Sequence, residues 1–167
     1  PTTPRIKVLI VDDHAVVRQG LRTFIDLQED MTVVGEGANG LEAIELAARL
    51  LPDIILLDLV MPEMDGVEAV PHILERSPNS RVIILTSFGE DSKVFPAIRA
   101  GAQGYLLKDI HPNDLVQAVR EAWAGRVQLA PDIARKLMTV AASSAAPAAM
   151  PPATVSSQTV STLTERE

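Results

Sequence analysis

Apolar residues along this chain follow two rhythms: short unbroken aliphatic runs, and longer stretches with an apolar position every three or four residues. Ile6-Lys7-Val8-Leu9-Ile10-Val11, Ile54-Ile55-Leu56-Leu57-Asp58 and Arg81-Val82-Ile83-Ile84-Leu85-Thr86 are the aliphatic runs, the pattern of strands buried on both faces of a parallel sheet. Met31-Thr32-Val33-Val34-Gly35 is a weaker strand, and Gly104-Tyr105-Leu106-Leu107-Lys108 a short one. Between them the period turns helical. Val17, Leu21, Phe24 and Ile25 make one apolar face, with Arg18, Gln19 and Arg22 on the other side. Asn39 with Glu42, and Asp65 with Glu68, have capping-box spacing at the starts of two further helices. Ala43, Ile44, Ala47 and Leu51 form the apolar face of the first of these, and Pro71 should kink the second. A fourth helix runs from about Asp91 to Ala100, its first turn weakened by Pro96. Pro112 opens a fifth, carrying Leu115, Val116, Val119 and Trp123.

Five strands alternating with five helices predict an α/β fold, a flavodoxin-like (βα)5 domain of three layers with parallel strand order 2-1-3-4-5. It occupies residues 5–126. Residues 127–162 read as a short helix (Pro131 to Val140) plus an Ala/Ser/Pro-rich linker, with no charged residue from Leu137 to Thr164. Thr164 with Glu167 is again a helix start, so residues 163–167 look like the opening of a further, truncated domain.

The strand ends carry the chemistry. Strand one ends in Asp12-Asp13, strand three in Asp58, strand four in Thr86 and strand five in Lys108. In this strand order the first and third strands are neighbours, and ligands lie at the carboxyl edge between them. Three carboxylates in one crevice repel and raise one another's pKa. A hard divalent cation with oxygen ligands relieves this, and Mg²⁺ suits one or two carboxylates plus a phosphate. Lys108 adds positive charge and Thr86 a hydroxyl donor, which is most of what phosphoryl transfer asks of a protein. Asp58 is then the nucleophile. Each residue also has a plain explanation: Asp13 as a helix cap, Lys108 as a solvated cation, Thr86 as a β-branched strand residue. The combination at four strand ends on one edge is what points to a site. His14 reads as an exposed helix start rather than a ligand, Met61 and Met64 as loop packing, and Trp123 as a surface helix position.

Composition narrows the classes. With 167 residues, 47% hydrophobic and only 3% aromatic, the chain holds one domain with an aliphatic core. A formal net charge of -7 makes the folded part a poor nucleic-acid binder. The absence of Cys excludes a disulfide scaffold or thiolate metal site. No signal-peptide or membrane-spanning run is visible, so a cytoplasmic location is expected.

Asp12-Asp13, Asp58 with Met61-Pro62-x-Met64-Asp65-Gly66, Thr86-Ser87, and Gly104-Tyr105-Leu106-Leu107-Lys108-Asp109 together resemble the receiver domain of bacterial two-component response regulators. The resemblance covers residues 5–126. Val11-Asp12-Asp13-His14 and the Gly104–Asp109 stretch are similar to the NarL/LuxR (FixJ) subgroup. Leu163-Thr164-x-Arg166-Glu167 resembles the start of that subgroup's helix-turn-helix. The segment from Thr86 to Ile98 looks closest to LiaR/VraR-type regulators of cell-envelope stress.

The resemblance implies roles. Asp58 would accept a phosphoryl group from a sensor histidine kinase. Asp13, Asp58 and the Val60 backbone carbonyl would ligate Mg²⁺, with Asp12 helping through water. Thr86 and Lys108 would bind the phosphoryl group, and Tyr105 would swing inward when Thr86 moves. The output would be a homodimer through the first and fifth helices, or else through the fourth helix and fifth strand. DNA would be bound only through the missing helix-turn-helix. Val60 and Phe88, two positions beyond Asp58 and Thr86, carry no polar group to orient an attacking water, so self-dephosphorylation should be slow. The chain should be a stoichiometric acceptor rather than an enzyme. A flavodoxin would need a Ser/Thr-rich phosphate loop after strand one, and a haloacid-dehalogenase-type phosphatase an Asp-x-Asp on it. A stand-alone phosphorelay receiver would share the whole pattern. A phosphate-independent pseudo-receiver would share the fold, but here all five site positions are filled.

Overall fold

The aliphatic runs become the middle of a single sheet. The computed structural model describes residues 4–87, 91–126, 128–129 and 135. Its strands are β1 (Ile6–Val11), β2 (Met31–Gly37), β3 (Ile54–Asp58), β4 (Arg81–Thr86), β5 (Gly104–Leu107) and β6 (Gln128–Leu129). All pair in parallel in the order β2-β1-β3-β4-β5-β6. The first five give the expected flavodoxin-like order. β6 is an addition just past the expected domain end, and a two-residue strand is too short to show a period. The helices are α1 (Ala15–Asp26), α2 (Gly40–Leu50), α3 (Gly66–Arg76), α4 (Val94–Ala100) and α5 (Pro112–Trp123). Apart from Arg135, which is helical, the expected helix at Pro131 to Val140 lies outside the described residues, as do the linker that follows it, the opening at residues 163–167, and Phe88.

Caps set where the helices begin. At α3 the Asp65 side chain accepts from the Glu68 N–H and the Glu68 side chain accepts from the Asp65 N–H, a complete capping box. At α2 the Asn39 side chain accepts from the Glu42 N–H at 2.9 Å, but Glu42 accepts from Ala38 at 2.8 Å rather than from the cap itself. Leu51, expected on the buried face of α2, is instead the left-handed residue after it (φ 47°) and is exposed. α3 runs unbroken through an exposed Pro71. Pro96 is the third residue of α4, where its missing N–H falls among donors already free in a first turn. The weak start expected there takes the form of a 3-10 turn, Asp91–Lys93.

Alternation along the strands sends Val8, Ile10, Ile54, Leu56, Ile83, Leu85 and Leu106 into one core with Ile25 of α1 and Leu115, Val116 and Val119 of α5. The register Ile10↔Leu56↔Ile83 keeps these positions in rows. The other face carries Val11, Leu57, Ile84 and Tyr105, also in one row.

Two glycines let chain segments close around the end of β3. A Cβ on Gly66 would lie 2.5 Å from the Asp58 carbonyl oxygen, and one on Gly40 would lie 2.6 Å from that of Met64. Both obstacles are backbone, which cannot rotate aside. Gly66→Ala should therefore lose about 2–3 kcal/mol despite the better helix propensity of Ala. Gly20→Ala, on a part of α1 with nothing within 4 Å of the added methyl, should gain about 0.5–1 kcal/mol. Urea unfolding midpoints of the two variants are expected to move in opposite directions at unchanged slope.

Candidate functional site

The same alternation that fills the α1/α5 face of the sheet continues past the strand ends. Following Ile10, Leu56 and Leu106 by two residues come Asp12, Asp58 and Lys108, so all three project toward one side at one edge. The Lys108 ammonium sits 2.8 Å from Asp12 Oδ2 and 3.1 Å from Asp58 Oδ2. Asp12 is 2% exposed and Asp58 5%. Lys108 is thus no solvated cation. Burial, and then the charge of Asp12, push the Asp58 carboxyl up to about 6, and Lys108 offsets this only in part. Burial pulls the Lys108 pKa down, but hydrogen bonds and charge from Asp12 and Asp58 leave it raised on balance.

Asp13 does not cap α1. The residue before the helix is His14, without a side-chain cap bond, and its N–H donates to Asp12 Oδ1 at 2.8 Å. The His14 ring is 65% exposed, as expected for a helix start, yet Nδ1 lies 3.1 Å from both Asp12 Oδ1 and Asp13 Oδ1. The approach to Asp13 lacks hydrogen-bond geometry. Among the described residues, Asp13 Oδ1 is a buried oxygen that accepts no hydrogen bond. Asp12, Asp13, His14 and Asp58 each bring one ligand atom within 4.8 Å of the others. Clustered carboxylates with an unsatisfied oxygen fit a hard, oxygen-seeking cation.

Thr86 is 1% exposed at the end of β4, one residue beyond the partner of Asp58 in register, and its carbonyl accepts from the Lys108 N–H at 2.7 Å. Tyr105 is fully buried, two rungs below on the same face as Thr86. The loop after Asp58 is tightly shaped. The Gly66 N–H donates to the Leu59 carbonyl at 2.8 Å, and the Met64 N–H to the Pro62 carbonyl at 2.7 Å across Glu63 at φ 68°. This last is a strained γ-turn, of a kind that persists where surroundings enforce it. Val60 is about half exposed and Met61 is buried as loop packing. Trp123 is 48% exposed, the surface position expected.

Two residues make contacts that the sequence pattern does not signal. Arg18, placed on the solvent side of α1 by periodicity, turns inward to the Asp12 main chain and Glu36. Lys93, in the 3-10 turn before α4, pairs with Asp65 at 3.5 Å. Neither has a local signal, because Glu36 and Asp65 are distant in sequence and the Asp12 bond is to main chain.

Residues 8–120 match the family model described as the response regulator receiver domain. The chain is 44% identical over 134 residues to the transcriptional regulatory protein LiaR of Bacillus subtilis, covering 80% of this chain and 64% of that protein. It is 46% identical over 132 residues to the response regulator protein VraR of Staphylococcus aureus, covering 79% of this chain and 63% of that one. The chain therefore spans a little under two thirds of the length of these relatives. Among solved structures, a LuxR-family two-component response regulator from Aurantimonas superposes with a TM-score of 0.76 at 36% identity, covering 83% of this chain and 99% of that one. The fold, the edge at which the acids gather and these likenesses agree: the chain belongs to the response regulator receiver domain family, related to LiaR and VraR.

Proposed function

We propose that Asp58 is the phosphoacceptor of a two-component signalling protein, taking a phosphoryl group from the phosphohistidine of a sensor kinase. The observation that carries this reading is the Lys108 ammonium bridging two buried carboxylates, Asp12 and Asp58, on one rim of the sheet. An oxygen of Asp58 attacks phosphorus, the phosphorus–nitrogen bond to histidine breaks, and an acyl phosphate forms. Lys108 faces the phosphoryl oxygens and the Thr86 hydroxyl donates to one of them. Asp13 and Asp58, with the Val60 carbonyl and with Asp12 acting through water, would hold Mg²⁺. That ion supplies charge neutralisation for the transferring group. With Asp58 rising only to about 6, the nucleophile is largely ionised at neutral pH.

Thr86 and Tyr105 are read as the switch, supported by their shared face and full burial. The seven-residue α4 entered through a 3-10 turn suits an element with two arrangements. Residues 5–126 are then the receiver, 127–162 the connecting segment and 163–167 the start of a DNA-reading helix-turn-helix. No helix among the described residues is long and apolar enough to cross a membrane. A cytoplasmic location follows from the reading as a sensor kinase's partner.

The output is a homodimer through the α1/α5 face. Val16 on α1 and Leu27 just past its end are 82% and 71% exposed, and a groove of about 340 Å³ opens between α1 and the start of α5, lined by Val17, Leu21, Phe24, Ile110 and Leu115. Exposed apolar groups this large on one helix face suit a protein partner.

Acetyl phosphate with Mg²⁺ is expected to add one phosphoryl group to the full chain and none to Asp58→Asn, read by intact mass. Labelling of Asp58→Asn to the same extent would end the assignment, and no labelling of either would favour a pseudo-receiver. The phosphorylated chain should keep its label for hours in Mg²⁺ buffer, because Val60 orients no water. Val60→Gln should shorten that lifetime several-fold, whereas a parental half-life of seconds would contradict the slow-loss reading. In native mass measurements the phosphorylated chain is expected as a dimer and the labelled Val16→Asp/Leu27→Asp variant as a monomer. A dimer persisting in that variant would redirect the interface to α4 and β5.

A further inference from the structure

Arg18 lies one turn into α1 with its guanidinium pointing back at the acid loop. Nη1 donates to the Asp12 carbonyl oxygen at 2.6 Å, and Nε donates to Glu36 Oε1 at 3.3 Å. The side chain is only 20% exposed. Glu36, on β2, is held in turn by Arg22, whose Nη1 donates to Oε2 at 2.6 Å. On the other side of the same residue, the Asp12 N–H donates to the Gly37 carbonyl at 3.0 Å. Asp12 therefore has its N–H fixed by one end of β2 and its carbonyl fixed by an arginine anchored on that same strand.

The carbonyl that Arg18 grips belongs to the peptide joining Asp12 to Asp13. Tilting that plane would swing the two carboxylates relative to each other and to Asp58. We propose that Arg18 is a positioning residue for the cation site: it locks the Asp12–Asp13 peptide so that both carboxylates meet Asp58. This rests on the reading of those acids as cation ligands. Groups behind a metal's direct ligands orient them, and losing one typically weakens metal affinity about 10–100-fold. A charge-assisted bond to a backbone carbonyl is a strong member of that class.

A purely electrostatic role has the opposite sign. A guanidinium beside the acids repels a dication, so a residue acting only through its charge would weaken binding when present and strengthen it when removed. Positioning predicts that removal weakens binding.

The test is calorimetric titration of MgCl₂ into the full, unphosphorylated chain and into two variants. Arg18→Met keeps the apolar stem and removes donors and charge; it is expected to bind Mg²⁺ about tenfold more weakly. Arg18→Lys restores one donor and should recover part of the loss. Thermal unfolding in EDTA establishes that the variants are folded, and amide exchange at Asp12 in the metal-free chain should speed up in Arg18→Met. Affinity equal to or tighter than the parent's in Arg18→Met would overturn the proposal while leaving the cation site standing. Should Arg18→Met not fold, unchanged affinity in Arg18→Lys would overturn it, and a weaker one would support it. No Mg²⁺ binding by the parent would overturn the cation reading and this proposal together.

Discussion

The site depends on one ammonium shared by two buried carboxylates. Lys108 meets Asp12 at 2.8 Å and Asp58 at 3.1 Å, and neither acid has more than a few per cent of its surface in water. Burying two like charges side by side is costly, and removing the cation between them would leave an uncompensated charge in a low-dielectric crevice. Even so, the balance remains negative. Asp12, Asp13 and Asp58 contribute three negative charges against one from Lys108, a deficit of two. One divalent cation cancels it. Such a site is unfinished as a piece of protein structure, and burial together with the neighbouring charge of Asp12 raises the Asp58 pKa within it. Stability alone would have been better served by an aliphatic residue at the end of β3, as in the rows beneath it.

Those rows explain how the charges come together with so little local machinery. A strand turns alternate side chains to one face, so Ile10, Leu56 and Leu106, once packed on α5, dictate where the residues two further on must point. A slip of one residue in any of the three strands would bury a charge under the other helical layer. The hydrophobic core is thus the positioning device for the polar rim. The loop after Asp58 adds what alternation cannot. Gly66 lets the first turn of α3 rest on the Asp58 carbonyl, Gly40 lets α2 rest on Met64, and the Asp65–Glu68 box fixes the turn between. Lys93 then ties this loop to the 3-10 turn before α4 through Asp65. The neighbourhood of Asp58 and the element proposed as the switch therefore share an ion pair.

What could be read in the sequence was whatever has a short period or a fixed spacing. Ile54–Asp58 announced a doubly buried strand because four branched aliphatics have no other stable place. Asn39 and Asp65 announced caps because the matching Glu lies three residues on. The acids and Lys108 could be assigned to one edge because parallel strands all end on the same side. Contacts between distant residues were not legible in the same way. Arg18 shares its side of α1 with Gln19 and Arg22, so periodicity exposes it, yet its long stem reaches back to Asp12 and across to Glu36. Leu51 fits the apolar spacing of α2 but falls where the chain must turn left-handed to leave the helix, and that geometry outweighs its hydrophobicity. β6 is two residues long, too short for any period, and its pairing partner β5 lies more than twenty residues back along the chain.

α1 joins the buried chemistry to the outside. It begins two residues after Asp13, its Arg18 reaches into the acid loop, and its outer face carries Val16 in solvent, with Leu27 exposed just past its end. Its inner face is tied down by Ile25 in the core. A helix held at its start by the acid loop and along its length by the core has little freedom to tilt independently of either. Whatever fixes Asp12 and Asp13 therefore also fixes the first turn of α1, including Val16. Order gained at that turn lowers the entropy still to be lost when the face meets a partner. This contiguity supports placing the proposed interface on α1, which joins the acids both through the chain and through Arg18.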